Sequence, residues 1–61
     1  MIKRVWEVYE RDTQNCIIFD DEFSARDQDV FSEVDLIAEA NVDLSKSEIE
    51  SLRKGHYICG I

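Results

Sequence analysis

Ile2 to Arg11 constrains the fold of this chain more than any other stretch. The run is rich in Val, Trp and Tyr, the composition of a β-strand. A strand leaves its backbone donors and acceptors to be met by neighbours, so the run commits the chain to a sheet. Ile2, Trp6 and Val8 make the more apolar face. Val5 and Tyr9 lie on the other face between Lys3, Glu7 and Arg11, which reads as one buried side and one half-covered side.

The residues that follow supply a partner. Asp12-Thr13-Gln14-Asn15 is a polar loop of turn-forming residues, suited to a hairpin connection. A second strand is expected from Cys16 to about Phe23, with Ile17, Phe19 and Phe23 on one face and Cys16 and Ile18 on the other. The two runs predict an antiparallel hairpin over residues 2–23.

From Ser24 the period changes. Val30, Phe31, Val34, Ile37 and Ala38 fall on one stripe of a 3.6-residue helix, opposite Asp29, Ser32, Glu33, Asp35 and Glu39. The pattern predicts a helix over about 25–40, with Ser24 and Asp27 or Ser32 and Asp35 as alternative first-turn caps; Leu36 stands off the stripe. A second helix over 46–54 has the clearest local signal. Ser45 and Glu48 form a capping box, Leu44 and Ile49 a hydrophobic staple. Arg53 and Lys54 suit the negative end of the helix dipole, and Gly55 supplies a left-handed terminator. Residues 56–61 alternate as a short third strand.

The expected fold is therefore a single α+β domain, residues 1–61, of ββααβ order: a three-stranded antiparallel sheet with two helices packed on one face. The edge joined by the last strand is left open. A chain of 61 residues buries only about 60% of the surface its unfolded form exposes, so its core is thin.

Cys16 and Cys59 are too few for a secreted disulfide scaffold and lack the CxxC spacing of zinc or redox sites. They read as reduced thiols in a cytoplasmic protein, and a disulfide between them requires their strands to be neighbours. The apolar run Ile17-Ile18-Phe19 is far short of the ~20 residues that span a bilayer. No cofactor or metal is expected. Asp27 and Asp29 have the first spacing of a calcium loop, but no glycine follows and no Glu occupies the twelfth position. His56 and Cys59, three apart on a strand, point to opposite faces and so make a poor catalytic pair.

Charge is the feature that bears on function. Residues 20–43 hold nine carboxylates and one base, Arg26, for a net −8; the remaining residues carry +1, giving the chain its −7. Such a field speeds encounter with a basic partner and repels nucleic acid. Spaced carboxylates on a small body also resemble a phosphate backbone. The expected function is a non-enzymatic, acidic protein-binding module that occludes a basic, nucleic-acid-binding site on a partner protein. Small inhibitors that mimic DNA, of the kind phages use, share this size and charge. The binding residues are expected to be Asp20, Asp21, Glu22, Asp27, Asp29, Glu33, Asp35 and Glu39. The alternative is a structural or assembly subunit that self-associates, as a homodimer for instance, or docks through an uncovered sheet face. That face would be lined by Val5, Tyr9, Ile18 and Ile58, with the acidity serving only solubility.

Overall fold

The computed structural model of the protein describes residues 1–60. Its order is β1 (Ile2–Glu10), β2 (Cys16–Phe19), α1 (Glu22–Arg26), β3 (Val34–Asp43), α2 (Lys46–Arg53) and β4 (Ile58–Gly60). The class is α+β with an antiparallel sheet and two helices, as expected. The sheet has four strands in the order β3-β1-β2-β4, so ββααβ is corrected to ββαβαβ. The last strand joins β2 at the far edge. Ile61, placed in that strand from its sequence, lies outside the described residues.

The expected helix over 25–40 is the principal error. Only Glu22–Arg26 is helical there, and Val34–Asp43 is the longest strand in the protein. From Ala38 the sequence alternates apolar and polar without a break: Ala38, Glu39, Ala40, Asn41, Val42, Asp43. Tertiary pairing settles the choice. β2 meets β1 only from Trp6 to Tyr9, whereas β3 pairs with it from Ile2↔Asp43 to Glu10↔Val34 and so satisfies its other edge. A register shift beside Tyr9 and Glu10 leaves Asp35 as the extra residue of a bulge. Leu36, off the helical stripe, falls on the same sheet face as Ala38, Ala40 and Val42.

The hairpin closes through Arg11–Asn15, with Asp12 (φ 74°) and Gln14 (φ 62°) in the left-handed region. The Glu10 carboxylate steadies the loop by accepting from Thr13 Oγ1 at 2.6 Å and Asn15 Nδ2 at 3.2 Å. β2 ends at Phe19, short of the expected Phe23, because Asp21 caps α1: its carboxylate accepts from Ser24 N (3.3 Å) and Ser24 Oγ (2.7 Å). Phe23, expected in the strand core, is 75% exposed on α1.

The helices cover opposite faces of the sheet, not the same one. On one face Val5 and Ile18 pack with Leu44, Ile49 and Leu52 of the α2 region, with Ala40, Val42 and Ile58 alongside. On the other, Val8, Ile17 and Phe19 pack with Ala25 of α1, joined by Trp6, Phe31, Val34 and Ile37. The α2 signals behave as read. Ser45 Oγ accepts from Glu48 N (3.2 Å) while Ser45 N donates to Glu48 Oε1 (2.8 Å), and the staple residues Leu44 and Ile49 are both buried. At the other end Gly55 (φ 91°) turns the chain, so that Gly55 N donates to Leu52 O and His56 N to Ser51 O at 3.0 and 3.1 Å.

Candidate functional site

Partners in the fold divide the eight predicted binding acids into two groups. Asp20 is half-buried and held by Lys3 at 2.7 Å; Glu22 pairs with Arg26 one turn on at 2.8 Å; Glu39 meets Arg4 at 3.2 Å. Asp21 is spent on the α1 cap, and hydrogen bonds from Ser24 hold its carboxyl below the usual carboxylate range. Asp27, Asp29, Glu33 and Asp35 are exposed and have no ion pair among the described residues. These four fall within 27–35, a stretch with no Lys or Arg.

That segment is anchored despite its charge. Phe31 packs on the Val8, Ile17, Phe19 and Ala25 cluster. The Gln28 side chain closes a ring on it, accepting from Phe31 N (2.8 Å) and donating to Phe31 O (3.1 Å). Arg11 N donates to Glu33 O at 3.0 Å, tying the segment to the end of β1. Phe31, one residue of the predicted helical stripe, thus fastens the loop while the acids stay exposed. Carboxylates fixed on a rigid support lose little conformational entropy when a partner arrives.

The acid-bearing chain continues into β3, where Glu39 and Asp43 share a face by register. Asp43 Oδ1 meets the Met1 ammonium at 2.6 Å. β3 is an outer strand: among the described residues its only neighbour is β1. This edge was invisible while the segment was read as a helix, although the alternation after Ala38 is its signature.

The second predicted surface is corrected outright over most of its extent. Val5 and Ile18 are fully or nearly buried beneath the α2 region, and Ile58 packs against it. The thirteen-residue stretch from Leu44 to His56 covers the very face taken to be bare. Tyr9 alone of the four lies outside that cluster, half-buried, its hydroxyl donating to Glu7 Oε1 at 2.9 Å. This bond to a carboxylate, then burial and the Glu7 charge, push the Tyr9 phenol up to about 12.

The thiols are separated by register. β2 and β4 are neighbours, but Ile17 faces Cys59 and Cys16 faces Gly60, so the two side chains leave opposite faces of the sheet. Both thiols are free. Burial, helped by the Glu7 charge, raises the Cys16 pKa and makes it a poor nucleophile. An open groove of about 420 Å³, not foreseen in the sequence, lies between the hairpin loop, the 30–31 segment and β4. Ile17, Val30, Phe31, Tyr57 and Cys59 line it, with Gln14, Asn15 and Cys16 at the loop side and no carboxylate or histidine among the described residues. Tyr57 reaches it from against Phe19, ring centroids 5.9 Å apart.

Among the described residues, no three His, Cys, Asp or Glu side chains are grouped to hold a metal ion, and no helix is long and apolar enough to cross a membrane. The chain matches no family model, no curated protein and no solved structure.

Proposed function

We propose that the protein is an acidic protein-binding module that docks on a basic surface of a partner and occludes it. The carrying observation is the set of exposed carboxylates at Asp27, Asp29, Glu33 and Asp35, without ion pairs among the described residues and fastened to the sheet through Phe31 and the Arg11 N to Glu33 O hydrogen bond. Like charges concentrated in one short segment raise the energy of the isolated fold, a cost that a cationic partner removes. The eight acids originally grouped then divide by role: Asp27, Asp29, Glu33, Asp35 and Glu39 meet the partner, while Asp20, Asp21 and Glu22 chiefly order the β2–α1 junction. A nucleic-acid-binding surface is the natural basic target, which makes the module an inhibitor of the DNA-mimic type.

The test is capture from extract of the cells that make it, using the protein and a variant with Asp27→Asn, Asp29→Asn, Glu33→Gln and Asp35→Asn. A basic partner held by the parent protein at low salt, released by added salt and absent from the variant supports the reading. Partners held equally by both proteins in high salt would overturn it.

A further inference from the structure

β3 offers more than charge. It is ten residues long, forms an outer edge of the sheet, and none of its backbone groups bonds to a further strand among the described residues. β4, the opposite edge, has only three residues. Along β3 the two faces differ in chemistry. Leu36, Ala38, Ala40 and Val42 give an apolar row, and Glu39, Asn41 and Asp43 a polar, acidic one. The row beyond α2 is open, with Leu36 52% exposed beside Tyr9.

Resting on the proposed function, we infer that the partner segment is an extended basic strand that adds to the β3 edge, with Lys or Arg alternating with apolar residues. Backbone pairing along the edge supplies affinity, and the alternation supplies specificity: cations opposite Glu39 and Asp43, apolar side chains over Leu36, Ala38 and Ala40. Arg4 and the Met1 ammonium each engage one carboxylate oxygen of these acids through exposed contacts, which an incoming strand displaces at little cost.

Charge also argues against a second copy as the occupant. Antiparallel self-pairing centred on Asn41 sets Glu39 against Asp43 of the other copy, and centring on Glu39 sets like against like. The same acids oppose self-pairing in these two registers and favour a strand of opposite sign.

The experiment uses the intact protein with three synthetic probes: a peptide alternating Lys and Val, a block isomer of the same composition, and a peptide alternating Glu and Val. Affinity is read by fluorescence anisotropy and the contact by amide hydrogen exchange. The expected result is that the alternating basic peptide binds more tightly than its block isomer and slows exchange along β3. The Glu39→Lys, Asp43→Lys variant, changed only at exposed positions, should lose roughly tenfold in affinity for it and gain affinity for the acidic peptide. Equal binding of both basic peptides without β3 protection overturns strand addition and leaves the acidic module intact. Absence of binding by either overturns both. A β3-protected dimer in sedimentation with no peptide bound replaces the partner with a second copy and also overturns the inference.

Discussion

The two faces of the sheet are covered by different means. On the α2 side one eight-residue helix carries its own start signal, stop signal and two buried apolar anchors, Ile49 and Leu52. On the α1 side a five-residue helix buries only Ala25, and the cover is completed by Phe31 from a loop. The first is close to a self-contained instruction. The second exists because β3 returns along β1 and draws residues 27–33 across the sheet. Both covers carry exposed charge, but that of α2 is mixed in sign (Lys46, Glu48, Glu50 and Arg53), whereas the cover imposed by distant pairing bears only acidic charge at 27–33: Asp27, Asp29 and Glu33.

This contrast breaks most readily at the anchors. Leu52→Ala should destabilise by about 2–5 kcal/mol, because Leu52 is 1% exposed and central to its cluster. Phe31→Ala, at a half-buried loop position, should cost only about 1–2 kcal/mol. Chemical denaturation of the two variants gives the comparison, and a larger loss at Phe31 would make the α1 side the principal core.

The caps sharpen it further. Ser45→Ala should cost about 1 kcal/mol by undoing the capping box. On the other side, Asp21 has a folded-state pKa below its ordinary value, so its stabilising effect is present above the ordinary carboxylate range and fades as pH falls through the lowered value. Acid titration with hydrogen exchange should show α1 loosening in that window, and Asp21→Asn should remove Asp21's own contribution to the pH dependence.

The smallest effect lies at the alkaline end. Tyr9 titrates at about 12, above its ordinary 10.0, so its bond to Glu7 is fully present below pH 10 and lost as pH rises through 12. In a Tyr57→Phe background, ultraviolet titration should show this high phenol, and Glu7→Gln should lower it. An unchanged midpoint would place the cause elsewhere than the carboxylate.

Legibility in the sequence followed the range of the forces involved. Ser45, Glu48, Leu44, Ile49 and Gly55 act within a few residues of one another, and the helix they specify was read to within one residue. The β1–β2 hairpin was legible for the same reason, although Asp21's cap cut the second strand short. Residues 30–38 fit a helical stripe, and nothing local outweighs that pattern; the pairing of Ile2 with Asp43 does. The six alternating residues from Ala38 to Asp43 were the available clue. Once a helix was assumed there, the β2 and β1 residues under α2 appeared bare, and the edge strand disappeared from view. The acidity of the candidate site was plain throughout, whereas which acids were already engaged by Lys3, Arg4, Arg26 and Ser24 depended on the fold.

Placing β1 in the interior of the sheet has a consequence for the order in which the core can close. β1 precedes both of its strand neighbours in the sequence, yet the second is complete only at Asp43 and the lid only at Leu52. The β1–β2 hairpin forms within microseconds, but Val5 and Val8 stay unshielded until the later segments pack on them. A fragment ending at Asp43 holds both neighbours of β1 but not the Leu44, Ile49 and Leu52 cover, so the core closes only when α2 docks.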